Sequence, residues 1–162
     1  MFRHKSSPPC DGTLLDSQLF DQNTFYEAFL ADLQRGKRQV IIESPFITGR
    51  RVSRLLPAIR RLRQHGVTVV INTKPIYEQE PELQMQVKEW LSRFNQMGVT
   101  ILLTGRHHRK LAVIDRQIVW EGSLNILSQY DSCEIMRRIY SEQLANQMIE
   151  FLHLEKFTSG VV

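Results

Sequence analysis

The chain has 162 residues, of which 42% are hydrophobic and 23% charged, with a net charge of +4 and a pI near 9.3. This length and composition fit a single globular domain large enough to bury a core, and no second domain is needed. The uncharged apolar stretches are a few residues long, far short of the roughly 18 that cross a bilayer, which excludes a membrane span.

Residues 1 to 20, which begin MFRHKSSPPCDG, mix charge, serine, proline and glycine without periodicity. They are predicted to form a flexible lead-in to a catalytic domain over residues 21–162. An abrupt start also fits a module of a larger nucleic-acid enzyme, and this alternative stays open. Cys10 and Cys133 form no C-x-x-C pair and no apolar leader precedes them, so the expected compartment is the cytoplasm.

Helices and strands are predicted to alternate through the first two thirds of the domain. Helix one starts after Asp21 and ends at Gly36, and a second helix, with Pro57 placed early, ends at Gly66. Pro81 opens a third helix that Gly98 ends. The strands between and after these helices are QVIIES, VTVVINT and VTILLTG.

The last third is predicted to contain a hairpin, a strand around CEIMRRI and a final helix from about Ser141. A βαβα order followed by a hairpin indicates an α/β fold, with a mixed β-sheet flanked by helices on both faces.

The chemistry is concentrated in HRKLAVIDRQIVWEGSLN, residues 108–125, with the pattern H-x-K-x4-D-x6-G-S-x-N. The period of a strand places His108 and Lys110 on one face and Leu111 and Val113 on the other. The His108 imidazole and the Lys110 ammonium can then contact the same anionic group. Asp115 has the opposite parity to His108 and is expected at the end of the strand, in the turn of the hairpin.

After the turn, a second short strand runs into Gly122 and Ser123. Glycine allows close approach of backbone and phosphate, and Ser123 and Asn125 can donate hydrogen bonds to phosphate oxygens. Fixed donors and an ammonium stabilise the charge on the equatorial oxygens of a five-coordinate phosphorus. The set therefore indicates phosphoryl chemistry without a metal or other cofactor.

These residues resemble the motif of the phospholipase D superfamily, whose members break and make phosphodiester bonds on lipids or nucleic acids. The resemblance implies a phospholipase D-like fold, His108 as the nucleophile, Lys110 and Asn125 as phosphate binders and Asp115 as a mainly structural acid. It implies Ser123 as a supporting hydroxyl.

Two further parts of the sequence match the superfamily less closely. Glu134 stands at about the distance of an acid that orients the histidine in nuclease-type members. The turn with Ser44 and Phe46 is similar to a Ser-Pro-aromatic turn beside the active site in relatives.

The chain carries a single copy of the motif, whereas departure of an alkoxide calls for a second histidine as general acid. Members with one copy resemble half-sites that pair across a two-fold axis, so we expect a homodimer with a shared site. His107 lies one residue from His108 on a strand and should face the other side, so it is not the missing acid.

Six arginines, beginning with Arg50, Arg51 and Arg54, fall within fourteen positions that contain no acid, which favours a polyanionic substrate. The sequence therefore predicts a metal-independent phosphodiesterase that hydrolyses nucleic acid, DNA rather than RNA, through a phosphohistidine. Two alternatives remain: a phospholipase or phosphatidyl-transfer enzyme, and a non-catalytic nucleic-acid-binding module of a larger protein.

Overall fold

A computed structural model describes residues 16–128 and 132–158. They form seven strands and five α-helices. The strands are β1 (Asp16–Asp21), β2 (Gln39–Glu43), β3 (Thr68–Thr73), β4 (Thr100–Leu103), β5 (Leu111–Ile114), β6 (Ile118–Gly122) and β7 (Ile135–Tyr140). The helices are α1 (Phe25–Arg35), α2 (Gly49–Gln64), α3 (Gln84–Gln96), α4 (Glu142–Phe151) and α5 (Glu155–Thr158).

The strands form one mixed sheet in the order β1-β7-β6-β5-β2-β3-β4. β2, β3 and β4 are parallel and connected by helices, whereas β1, β7, β6 and β5 are antiparallel neighbours. β5 joins the two halves because it pairs antiparallel with β2, with Glu43 opposite Leu111. The start of the motif strand therefore lies beside the carboxyl end of a buried parallel strand.

The larger core lies between one face of the sheet and helices α1, α2 and α3. Its centre is aromatic: Trp120 of β6 makes edge-on contacts with Phe25 and Phe29 of α1, with ring centroids 5.1 and 6.0 Å apart. The Trp120 indole donates to Asp32, which also accepts from Arg138 at 2.7 Å. This pairing satisfies a carboxylate that is buried beside aromatic side chains.

The smaller core lies on the other face, where α4 and α5 cover the sheet. Val113 and Val119 point into it, whereas Ala112 and Trp120 point into the larger core, as the two-residue period of a strand requires. Helices on both faces of a mixed sheet confirm the predicted fold class.

The predicted lead-in over residues 1 to 20 was too long. Residues 16–20 belong to β1, whose residue Phe20 lies opposite Met136 of β7. The strand DSQLFD is an edge strand with five of its six residues exposed, so it lacks the apolar alternation that marks a strand in sequence. Cys10 lies outside the described residues.

Two prolines also differ from expectation. Pro57 lies in the middle of α2 instead of near its start. Pro81 opens a single 3-10 turn, Pro81–Leu83, and α3 starts after that turn. Among the helices that the structure describes, none combines the length and the apolar composition needed to cross a bilayer.

Candidate active site

The predicted site residues surround the start of β5 and the end of β6. The amide of Gly122 donates to the carbonyl of Lys110 at 3.2 Å, which extends the β5–β6 ladder to the motif lysine. The Lys110 ammonium donates to the carbonyl of His108 at 2.9 Å. The His108 side chain is exposed and Lys110 is half-buried, so both are open to a substrate.

The opposite side of the motif segment is held by a buried acid. Glu43, at the carboxyl end of β2, is fully buried and accepts from Arg109 Nε at 2.6 Å. The same carboxylate oxygen lies 3.3 Å from His107 Nε2, and Asn72 donates to the other oxygen at 3.0 Å. Because neighbouring side chains of an extended segment alternate, fixing His107 and Arg109 on one side leaves His108 on the other.

His107 is a buried histidine of a different kind from His108. Its side chain is 2% exposed, and neither ring nitrogen makes a hydrogen bond with good geometry to a described residue. Burial lowers the pKa of His107, and the Glu43 charge opposes this change only in part. His107 is therefore neutral near pH 7 and faces away from the exposed ring of His108.

Glu134 is tied to the motif serine. The Ser123 hydroxyl donates a short hydrogen bond to one carboxylate oxygen of Glu134, and Ser132 donates to the other at 2.6 Å. Ser123 Oγ also accepts from the amide of Ile135 at 3.1 Å. Among the described residues no hydrogen bond joins Glu134 to the His108 ring, so its predicted role on the histidine stays a prediction.

At Gly122 the backbone of strand β7 passes at close range. A Cβ at Gly122 would overlap the carbonyl oxygen of Ile135 and lie 2.8 Å from the sulfur of Met136. Both neighbours belong to β7, so this glycine permits close packing of β6 on β7. The same packing brings Ser123 next to Glu134.

Asn125 follows the glycine and serine in a turn that is held from the opposite layer by Tyr26 of α1. The Tyr26 hydroxyl lies 3.3 Å from the carbonyl oxygens of Asn125, Ile126 and Ser128. The guanidinium of Arg51 is stacked on the Tyr26 ring, with its carbon 3.0 Å from the ring centroid. A buried cation therefore lies one side chain away from the motif asparagine.

The electrostatics of this group reflect its burial. The pKa of Tyr26 is raised above its ordinary value mainly by burial, with the Glu134 charge adding to the increase and the Arg51 charge opposing it. Arg51 is 3% exposed, and its Nε has no hydrogen-bond partner among the described residues. A buried guanidinium with an unused donor is suited to bind an anion.

The Ser-Pro-aromatic turn supports the asparagine turn. Ser44 is fully buried, accepts from the amide of Leu127 at 3.0 Å and donates to the carbonyl of Phe46 at 3.2 Å. The amide of Thr48 donates to the carbonyl of Leu127 at 2.9 Å. Phe46 is half-buried and stacks under Lys74, whose ammonium is 4.5 Å from the ring centroid.

Asp115 lies at the other end of β5, away from His108. Its carboxylate accepts from the backbone amides of Lys37, Arg38 and Gln39 at 2.9, 2.7 and 3.0 Å. These contacts tie the hairpin turn to the start of β2. The turn places Asp115 at a φ of 54°, a conformation that aspartate tolerates better than most residues.

The arginines separate into two groups. Arg50 and Arg54 are exposed on the first turns of α2, next to buried Arg51. Arg109 and Arg138, which are close to the motif in sequence, are paired with the buried acids Glu43 and Asp32.

Sequence reasoning missed several residues that build the site: Glu43, Tyr26, Ser132 and Gln22, which accepts from the amide of Glu134 at 2.9 Å. Glu43 carried a signal, because it is an acid that directly follows four buried residues of a strand. The other three carried none, since they lie outside the motif.

The assembled groups are an exposed imidazole, a half-buried ammonium, a hydroxyl–carboxylate pair, an asparagine turn and a buried guanidinium. Cations and neutral donors at one edge of a sheet can bind a phosphate and stabilise its transition state. Within residues 16–128 and 132–158, no three histidine, cysteine, aspartate or glutamate side chains form a group that could hold a metal ion.

The sequence matches the family model described as cardiolipin synthase, PLD-like domain, over residues 29–154. The comparison with curated proteins gives no significant match. Among solved structures, Nuc from Salmonella typhimurium, a phospholipase D family member, has 15% identity and a TM-score of 0.68, covering 85% of this chain and 91% of Nuc. NucT from Helicobacter pylori has 18% identity and a TM-score of 0.68, covering 90% of this chain and 98% of NucT.

A third structure is TrmBL2, an archaeal chromatin protein that shows a novel mode of DNA binding. It has 12% identity and a TM-score of 0.59, over 88% of this chain and 51% of TrmBL2. At these identities the similarity to all three structures shows a shared fold.

Proposed function

Because this chain belongs to the family of phospholipase D-like domains, we propose that it is a metal-independent phosphodiesterase that hydrolyses nucleic acid. One observation carries the proposal: the His108 side chain is exposed, while its neighbours Arg109 and His107 turn toward buried Glu43, which binds Arg109. A nucleophile needs a fixed backbone and an open ring. The motif segment supplies both.

The proposed reaction uses two half-reactions at phosphorus. The unprotonated nitrogen of His108 forms a bond to phosphorus while the bond to the leaving oxygen breaks, and His108 of a second copy gives that oxygen a proton. Water then attacks the phosphohistidine, loses its proton to the second imidazole and releases His108. Lys110 and the Asn125 amide would stabilise the charge on the equatorial oxygens in both steps.

A homodimer with a composite site is part of this proposal. The chain has one copy of the motif, and the second histidine of the motif segment, His107, is buried against Glu43. We therefore propose that the second imidazole, on the far side of phosphorus, is His108 of another copy of this chain. The exposed His108 ring is open to such a partner.

Helix α2 supports a polyanionic substrate. Its sixteen residues, GRRVSRLLPAIRRLRQ, include six arginines and no acid. Its first turns carry Arg50 and Arg54 beside the buried Arg51, on the side of the molecule where Tyr26 meets the asparagine turn. Arginine forms paired hydrogen bonds with phosphate, and clustered cations attract a nucleic-acid backbone.

The first test is cleavage of plasmid DNA and of labelled DNA and RNA oligonucleotides in excess EDTA. Activity should persist in EDTA, and His108→Ala should abolish turnover while retaining most of the binding. Lys110→Ala should lower kcat by about 10²-fold or more, as expected for loss of a group that stabilises the transition state. Lys88→Ala, which removes an exposed ammonium from α3, is the matched control and should leave kcat unchanged.

Three outcomes would contradict parts of the proposal. Loss of all activity in EDTA would remove the metal-free reaction. A stable monomer by sedimentation, at concentrations where turnover is observed, would remove the composite site. Binding of DNA with no product at long times would favour the non-catalytic alternative, for which TrmBL2 supplies a structurally similar DNA-binding protein.

A phosphatidyl-transfer activity is the second candidate, and a specific observation favours it. A cavity of about 430 Å³ beside Lys110 is lined by apolar Leu19, Leu111 and Ile135 together with Arg137. Leu19 is 63% exposed and Ile135 is 54% exposed, as expected for a surface that meets lipid chains. Hydrolysis of phosphatidylcholine or transfer to glycerol in mixed micelles, faster than cleavage of DNA, would establish this alternative.

A further inference from the structure

Besides the cavity next to Lys110, the structure has a groove at the opposite end of the sheet from His108. It has a volume of about 700 Å³ and lies where the carboxyl ends of α1 and α2 approach the β5–β6 turn. Asp115, which lines it, follows the last residue of β5, whereas His108 precedes the first. Five residues of extended chain from Lys110 to Asp115 put the groove about 17 Å from the motif lysine.

The groove is lined by cations whose charges are free. Arg35, Lys37 and Arg61 line it and are exposed, and among the described residues none of their side-chain nitrogens lies within 4.0 Å of a carboxylate oxygen. The two acids in the lining are already occupied. Asp32 accepts from Trp120 and Arg138, and Asp115 accepts from three backbone amides.

The floor of the groove is apolar. Leu33, Leu62, Val67 and Ile114 contribute to it, all of them buried. A site with cations at the rim and apolar side chains below fits a ligand that has both a phosphate and a flat hydrophobic part. An unpaired nucleotide has this form, whereas a base inside a duplex is already stacked and paired.

The basic face of α2 connects this groove with the active site. At about 100° per residue, Arg50, Arg54 and Arg61 lie within an arc of about 40° on one face of the helix. Arg50 is the neighbour of Arg51, which stacks on Tyr26 beside the asparagine turn, and Arg61 lines the groove. Arg50 and Arg61 are about 16 Å apart along the axis, since an α-helix rises about 1.5 Å per residue.

We propose that α2 guides a single strand of nucleic acid from the active site to this groove, which holds an unpaired nucleotide of the same strand. The inference rests on the proposed function and adds the form of the substrate: a single strand with a contact beyond the scissile phosphate. Arg50, Arg54 and Arg61 contact successive phosphates along the helix. Arg35 and Lys37 bind the phosphate of the nucleotide in the groove.

The chain offers a closely matched control. Arg60 is an exposed arginine adjacent to Arg61, but it lies about 100° away on the helix and lines a different depression, with Arg93 and Met97. Arg60→Ala and Arg61→Ala therefore change the net charge equally. They differ in whether the lost cation faces the groove.

The test measures binding by fluorescence anisotropy with single-stranded DNA of about 4 and about 16 nucleotides, lengths that bracket the contact surface. Measurements use the His108→Ala chain so that no strand is cleaved. Arg61→Ala should weaken binding of the longer strand about tenfold, leave the shorter strand within twofold, and reduce the salt slope by about 0.7, the value for one phosphate contact on a single strand. Lys37→Ala should behave alike, and Arg60→Ala should change neither strand by more than twofold.

The outcomes separate the two proposals. If Arg60→Ala and Arg61→Ala weaken binding of the longer strand equally, and the unaltered chain still cleaves nucleic acid, the proposed nucleotide site in the groove is wrong. The proposed phosphodiesterase activity would be unaffected by that result. Binding of a matched duplex as tight as that of the single strand would overturn the nucleotide site as well. A chain that neither binds nor cleaves nucleic acid in any form would overturn both.

Discussion

Substitution of Asp115 tests whether the motif aspartate stabilises the fold and takes no part in turnover. Its carboxylate accepts from three backbone amides, two at exposed residues of the α1–β2 connection and one at buried Gln39, the first residue of β2. A hydrogen bond to a charged group contributes about 1.5–3 kcal/mol, and water replaces much of this at the exposed amides. Asp115→Gly should therefore lower the free energy of unfolding by about 2–3 kcal/mol.

Alanine at the same position adds backbone strain. Asp115 has a φ of 54°, where a residue with a Cβ costs about 1 kcal/mol more than glycine. Asp115→Ala should lower the free energy of unfolding by about 3–4 kcal/mol, and Asp115→Asn, which retains one acceptor and tolerates this φ, by about 1 kcal/mol. The order Asn, Gly, Ala separates the lost acceptor from the strain.

Urea unfolding followed by circular dichroism measures these differences. With a slope of about 1–3 kcal/mol per molar urea, the midpoint for Asp115→Ala should fall by about 1 M or more. Turnover of DNA per folded molecule should be measured at a temperature where all variants are folded. It should stay within about threefold of the unaltered chain, because Asp115 lies away from His108. A tenfold loss would correspond to about 1.4 kcal/mol of lost transition-state stabilisation. A variant of unchanged stability with abolished turnover would refute a structural role.

Three further predictions follow from the surroundings of the motif. Gly122→Ala should lower the free energy of unfolding by about 3 kcal/mol or more in urea titrations, because its Cβ would overlap the carbonyl of Ile135; an effect below about 1 kcal/mol would contradict that packing. Burial lowers the folded-state pKa of His107, so the unfolded chain binds more protons and stability should fall as pH drops below about 6.5. His107→Gln should make the urea midpoint less dependent on pH in that window, and an unchanged slope would exclude His107 as the cause. Tyr26→Phe should cost about 1 kcal/mol in the same assay while the ring keeps its stacking with Arg51, and a loss above about 3 kcal/mol would show that the hydroxyl holds more than the asparagine turn.

The fold could be predicted from sequence wherever apolar periodicity reports burial. Helix α1 and the completely buried strand β2 were recognised because their apolar residues follow the period of their structure. Strand β1 was missed because its residues are mostly exposed and its position depends on pairing with β7, more than a hundred residues later. Pro57 was placed near the helix start because the apolar stripe begins at Val52, whereas α2 already starts at Gly49.

The site divides in the same way. Motif spacing predicted which face His108 takes, because two-residue alternation is local. It could not predict the anchors from distant segments: Glu43 is 66 positions from Arg109, and Tyr26 is 99 positions from Asn125. These contacts arise from the order of strands in the sheet, which no window of the sequence contains.

The motif strand is anchored by an acid at each end, and this arrangement explains how a short strand can position His108, the proposed nucleophile. At the start of β5, Glu43 of β2 binds Arg109; at its end, Asp115 binds the amides that lead into β2. Both anchors join β5 to β2. They therefore fix the register of this antiparallel pair at both ends, beyond the four residue pairs of its ladder. A reacting group must be held within about 0.5 Å of its productive position. His108 precedes the strand and has no ladder partner among the described residues, so its backbone is held by the Lys110 ammonium, which donates to the His108 carbonyl, and through Arg109, which binds Glu43.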